Sequence, residues 1–199
     1  MQTAPRRDII ALYLDVVFSY CEGLIPLRSF AEKGNVHRTP VMAWVENNAD
    51  AVDKVFAFAQ AADERRMACY CIPGTVVEQG KAGAADIKQM QTLLADIDTG
   101  DTDAKLAHAT SIIGHPTLVV ESGGITETGQ CKLHLYWKLS EPVEGDDLQK
   151  LMQLRHALAL KIGADTHFKS AHQPIRIAGS VYHKREPLKM VQIRGHYDA

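Results

Sequence analysis

The sequence predicts a mixed α/β (α+β) protein with an antiparallel sheet component. Three observations carry this. Several segments repeat apolar residues at helical spacing, as in Asp8–Tyr20 with Ile9, Tyr13, Val16, Val17 and Tyr20. Others alternate strictly, above all Cys131–Leu139, with Leu133, Leu135, Trp137 and Leu139 on one face and Lys132, His134, Tyr136 and Lys138 on the other, the pattern of a half-buried strand. The first third reads helix, strand, strand, helix, strand, and no repeat or low-complexity run interrupts the chain.

With 199 residues, 46% of them hydrophobic, the chain can bury a full core as one domain or two small lobes. No apolar run is long enough for a membrane helix, and MQTAPRRDII lacks a signal-peptide layout, so a cytoplasmic protein with no membrane partner is expected. Cys21, Cys69, Cys71 and Cys131 lack the paired spacing of a zinc ribbon and read as buried free thiols. The formal charge is only -2, but its distribution is uneven: residues 1–131 hold 11 Lys and Arg against 17 Asp and Glu, and residues 132–199 hold 11 against 7. An anionic partner is therefore expected on the C-terminal third.

Taken in order, the first helix stops at Gly23, and Leu24–Phe30 carries Pro26, which suits an edge strand. Arg28 is an isolated cation there, read first as a surface residue and second as a ligand contact. Val41–Val45 is a short buried strand; Asn48 or Asp50 caps a helix bearing Val52, Val55, Phe56 and Ala59; Ala68–Ile72 is the next strand. After the glycine-containing connection 73–85, a short segment 86–90 leads into a strand ending in Asp96 and Asp98. Asp103–Ile113 is a helix stopped by Gly114 and Pro116, Thr117–Val120 a strand, and Ser122–Gln130 a loop before the alternating strand. Asp146–Ile162 is a long helix closed by Gly163, and Ile175–Ile177 and Lys189–Arg194 are strands joined by the basic turn His183-Lys184-Arg185.

The chemistry concentrates in TLLADIDTGD. On an extended strand, Asp96 and Asp98 share a face and repel one another unless a cation lies between them. The alternative is a polar turn in which Asp101 or Thr102 caps the next helix. If the sheet gathers Asp96, Asp98, His134 and Asp165, three carboxylates around two divalent ions are what phosphoryl transfer needs, with an imidazole and cations for the triphosphate.

These residues resemble the archaeo-eukaryotic primase superfamily, specifically the primase-polymerase group of plasmids, phages and other mobile elements. That family has an hhhDhD strand (h, hydrophobic), a later strand with a histidine, and then an hD or hE motif. Leu93-Leu94-Ala95-Asp96-Ile97-Asp98, Lys132-Leu133-His134-Leu135-Tyr136-Trp137 and Gly163-Ala164-Asp165 are similar to them in order and setting. Arg176-Ile177-Ala178-Gly179-Ser180-Val181-Tyr182-His183-Lys184 resembles the R-x-P-G-T-x-N-x-K segment of plasmid-type members, with Ala178 and Tyr182 departing from it. A further departure is that Ser122-Gly123-Gly124 lies farther ahead of the histidine than is usual in the family. The match covers roughly residues 90–185.

The resemblance implies a single catalytic domain over residues 1–199, with an RRM-like palm at about 91–199 beside an N-terminal α/β lobe at about 1–90. It implies a DNA primase/polymerase, a nucleotidyltransferase that joins a 3'-hydroxyl to a nucleoside triphosphate with release of pyrophosphate. Asp96, Asp98 and Asp165 are then the catalytic residues holding two Mg2+ or Mn2+ ions. His134, Arg176, Lys184 and Lys132 are nucleotide contacts, and single-stranded DNA template, primer and nucleoside triphosphates are the partners. There is no G-x-x-x-x-G-K-[ST] loop, so any helicase lies on another chain or in a missing region. Trp44 and Trp137 read as core, with base stacking as the second reading, shared with Tyr182. The rival functions are a metal-dependent nuclease or phosphohydrolase, and a non-catalytic nucleic-acid-binding module.

Overall fold

A computed structural model describes residues 3–32 and 38–197. In chain order the elements are α1 (Arg7–Phe18), β1 (Leu24–Phe30), β2 (Val41–Glu46), α2 (Ala51–Glu64), β3 (Ala68–Cys71), β4 (Thr75–Val76), β5 (Ile87–Ile97), α3 (Thr102–Ile113), β6 (Leu118–Ile125), β7 (Cys131–Val143), α4 (Gly145–Ile162), β8 (Ile175–Arg176), β9 (Val181–Tyr182), β10 (Lys189–Met190) and β11 (Gln192–His196). Among the described residues nine strands form one antiparallel sheet, eight of them along the path β11-β6-β7-β5-β4-β1-β3-β8 and β2 off it on β1, and β9 and β10 form a separate hairpin. The mixed α+β class with an antiparallel sheet is therefore observed. Among the described residues no helix is long and apolar enough to cross a membrane.

Two-residue β4 joins a palm half, β11-β6-β7-β5, to a second half built from β1, β2, β3 and β8. On one palm face, Leu94, Leu118, Val120 and Tyr136 pack with Tyr13, Val16 and Val17 of α1. On the other, Ala95, Ile97, Leu133, Leu135 and Trp137 pack with Ala109 of α3 and Leu158, Ala159 and Ile162 of α4. Strand β7 is thus covered on both sides. This corrects the expectation of a half-buried strand, since alternation records side-chain polarity and not what packs above it; His134 and Tyr136 are buried with the apolar set.

Other boundaries also differ. Helix α1 ends at Phe18, not near Gly23, because the fully buried Gln91 side chain takes over its last carbonyls, donating to Val16 O at 2.8 Å and Asp15 O at 3.2 Å. Strand β1 is internal, not an edge. Pro26 is tolerated because its carbonyl accepts from Ile72 N, so its missing N–H faces the break between β3 and β4. Residues 87–97 form one continuous strand, and β6 runs through Gly123 and Gly124 to Ile125, well into the expected loop. Asn48 accepts from Asp50 N ahead of α2, where Asp50 occupies the N-cap position. The last segment has four short strands where two were expected. Cys21, Cys69 and Cys71 are buried free thiols as expected, while Cys131 is free and partly exposed.

Gly179, in the segment that resembles the plasmid-type turn, has a steric reason to be glycine. Its φ is +88°, and an added Cβ would lie 2.7 Å from Arg6 O and 2.9 Å from Ile10 Cγ1 on the first turn of α1. The close approach is held by Arg6 N donating to Gly179 O at 2.8 Å. Gly179→Ala is expected to destabilise the fold by about 2 kcal/mol or more, the sum of left-handed strain and overpacking, read as a lowered urea midpoint.

Candidate active site

The central strand β5 delivers Asp96 one residue before its end, directly across from His134 of β7, and Asp98 just beyond. The third carboxylate arrives from the end of α4. Gly163 adopts the left-handed conformation that stops the helix, Ala164 N bonds back to Ala159 O, and Asp165 N then donates to Asp96 O at 2.7 Å. That bond fastens the Asp165 turn to the strand carrying the pair. Burial first, then the charges of Asp98 and Asp165, pushes the Asp96 carboxyl up to about 7.

A lysine that the sequence hides in a helix ties the same two loops together. The Lys105 ammonium of α3 donates to Thr99 O at 2.8 Å, Thr99 Oγ1 at 3.3 Å and Gly163 O at 2.5 Å, so its three N–H groups meet three oxygens. Thr99 follows Asp98 and Gly163 precedes Asp165 by two residues, so one side chain spans both carboxylate turns. Asp101 caps α3 by accepting from Ala104 N at 2.9 Å, which bears out the capping expectation without bearing on Asp96 and Asp98.

Each carboxylate is turned towards a local partner. Asp98 Oδ2 lies 3.7 Å from Lys132 Nζ, Asp165 Oδ1 accepts from His167 N at 2.8 Å, and Asp96 Oδ1 lies 3.8 Å from His134 Nε2, beyond hydrogen-bond reach. Among the described residues no three His, Cys, Asp or Glu side chains stand at metal-ligand spacing. The donor set itself, three carboxylates, suits a hard divalent cation. His134 is 4% exposed, its Nδ1 has no hydrogen-bond partner, and burial, with Arg176 nearby, lowers its pKa to about 3. It is a neutral imidazole at physiological pH.

Arg176 reaches the cluster from β8 and helps hold the Asp96 pKa down. Its guanidinium pairs with buried Glu32 and lies 5.0 Å from the Tyr70 ring and 4.9 Å from the Tyr182 ring, while Tyr70 Oη donates to Glu32 at 3.2 Å. Glu32 and Tyr70 carry no motif, so nothing in the sequence marks them. Lys184 stands apart: it is exposed on the β9–β10 turn and forms no ion pair with the carboxylates. Trp137 is core, donating to Gly114 O at 3.1 Å, and Trp44 is half-buried. The structure thus brings together Asp96, Asp98, Asp165, His134, Lys132 and Arg176, and leaves Lys184 outside.

The fold is that of the archaeo-eukaryotic primase catalytic core. The AEP domain of a primase-polymerase from cyanophage S-2L matches at a TM-score of 0.71 and 20% identity, over 98% of this chain and 92% of that one. The primase RepB' matches at 0.65 and 13% over 96% of this chain and 56% of its own, and the RepB' catalytic domain in complex with initiator DNA at 0.61 and 12% over 96% and 84%. The likeness extends well beyond residues 90–185. No protein-family profile and no curated protein matches the sequence.

Proposed function

We propose that this chain is a template-dependent nucleotidyltransferase of the primase-polymerase type. The observation that carries the reading is the convergence of Asp96, Asp98 and Asp165 beside a buried neutral His134, in a fold shared with primase-polymerase domains. Asp96, Asp98 and Asp165 would hold Mg2+ or Mn2+. Held there, such ions would supply a lowered pKa for the attacking 3'-hydroxyl and positive charge for the transferring phosphate. Burial, with the like charges of Asp98 and Asp165, favours the protonated Asp96 carboxyl, and a cation held there would oppose this.

The chain's own residues do the remaining work. His134, being neutral, offers an N–H to a triphosphate oxygen without adding charge beside Arg176. Lys132, 3.7 Å from Asp98, and Arg176, fixed by Glu32, would supply cationic charge to the triphosphate. Template and primer are bound through phosphates more than base edges, because a copying enzyme accepts any sequence.

The test is incubation of the chain with a primed template, Mn2+ or Mg2+ and labelled nucleotides. Template-directed lengthening is expected. Shortened product with no lengthening means a nuclease instead, and retained DNA with neither change means a binding module.

Lys105 gives a subtler check. Lys105→Met is expected to raise the metal concentration for half-maximal extension about 10- to 100-fold, the usual cost of losing an outer-shell partner, with much less effect on the rate at saturating metal. Metal titrations of the extension rate read this directly.

A further inference from the structure

One face of the β1-β2-β3-β8 half carries an alternating row of rings and guanidiniums. Arg28 of β1 pairs in register with Tyr70 of β3, and Tyr70 with Arg176 of β8, so the three side chains share a face. Trp44 of β2, one diagonal step from Arg28, has its ring 5.2 Å from the Arg28 guanidinium, and Tyr182 of β9 closes the row over Arg176. Phe30 stacks on Tyr70 with centroids 4.5 Å apart and planes at 9°. Helices α1 and α2 occupy the opposite face, where Ile25, Leu27 and Val45 enter the core.

Two features separate this row from an internal packing motif. Among the described residues no carboxylate pairs with Arg28, whose guanidinium hydrogen-bonds only the neighbouring Leu27 carbonyl at 3.1 Å. The outer end is open, with Met42, the cross-strand partner of Arg28, 56% exposed. The inner end is Arg176, whose charge acts on Asp96. The row therefore starts at the candidate site and runs outward across four strands, β8, β3, β1 and β2, roughly 14 Å at ~4.8 Å per spacing, about the length of four stacked nucleotides at ~3.4 Å each.

We propose that the row Trp44-Arg28-Tyr70-Arg176 is the floor over which a single-stranded template passes to the site. Arg28 and Trp44, both partly exposed, offer fixed charge to phosphates and a flat face to bases, while buried Tyr70 and Glu32-paired Arg176 hold the inner end of the row; charge set beside rings binds single strands without reading sequence. The charge of Arg28, which no carboxylate among the described residues neutralises, is the complement such a strand requires. The assignment rests on the polymerase reading for its direction towards the carboxylates, but the binding itself needs no catalysis.

The experiment uses labelled oligo(dT) without metal or nucleotide, followed by fluorescence anisotropy over a range of salt. Arg28→Met, which keeps the aliphatic stem, is expected to bind about tenfold more weakly and to flatten the salt dependence by about one phosphate contact; Arg28→Lys restores the slope but not the full affinity. Oligo(dT) is also expected to quench the fluorescence of Trp44, and Trp44→Phe, which leaves buried Trp137 as the sole tryptophan, loses the quenching. Wild-type affinity and salt slope in a folded Arg28→Met variant overturn the proposal, as does wild-type protein that does not bind the oligonucleotide. Weakened binding in a protein that extends no primer leaves the surface standing and removes the polymerase reading; normal binding by Arg28→Met in a protein that extends primers does the reverse.

Discussion

Asparagine at Asp96, Asp98 or Asp165 is expected to lower primer extension at least about 10³-fold, while oligonucleotide binding stays within a few-fold of wild type. Each change keeps the shape of the side chain and removes a charge, so several kcal/mol of transition-state stabilisation is lost at about tenfold per 1.4 kcal/mol. Asp165 is expected to matter as much as the pair, because its turn is bonded to Asp96 O and its charge already acts on the Asp96 carboxyl. The metal-free protein shows the opposite sign in stability. The Asp96 pKa is raised from 3.8 to about 7 by burial and two like charges, so the folded state holds the proton more tightly than the unfolded chain. That contribution is fully present below about pH 4 and is lost as pH rises through about 7. At pH 8 without metal, Asp96→Asn is expected to melt at a higher temperature than wild type; a lower melting temperature contradicts the crowding of three carboxylates.

The second large effect falls on Glu32. Its side chain is 7% exposed and pairs with Arg176, itself 17% exposed. Glu32→Ala leaves a buried guanidinium without its counter-charge, a change that costs about 3–5 kcal/mol where measured in other proteins. Replacing both partners, Glu32→Ala with Arg176→Met, is expected to cost clearly less than the two single changes added together. A double-mutant cycle in urea measures this, and additive single effects contradict the pairing.

Much of the fold and half of the site could be read from the residues because the signals were local. Asp96, Asp98 and Asp165 follow apolar runs at element ends, and Gly163 announces the stop that sets the third carboxylate beside the first. His134 is visible as a histidine on an alternating strand, but its burial is not, since α1, which packs on that face of the strand at neighbouring Tyr136, lies more than 100 residues earlier in the chain. Lys105 looks like any polar residue of an amphipathic helix until Thr99 and Gly163 are seen on either side of it. Glu32, Tyr70 and Arg176 come from three distant segments and meet only because β8 joins the sheet beside β3. The edge assignment of β1 failed for a related reason: Pro26 sits in an interior strand at the one place where the neighbouring strands leave a gap.

The central claim is that three carboxylates from β5 and the turn after α4 act as one divalent-cation site. Its most direct test is Mn2+ binding followed by electron paramagnetic resonance, with the metal alone and then with a nucleoside triphosphate present. Wild-type protein is expected to bind Mn2+ at neutral pH and to bind more of it with nucleotide, and Asp165→Asn is expected to lose most of both. Equal Mn2+ binding by wild type and Asp165→Asn contradicts the account.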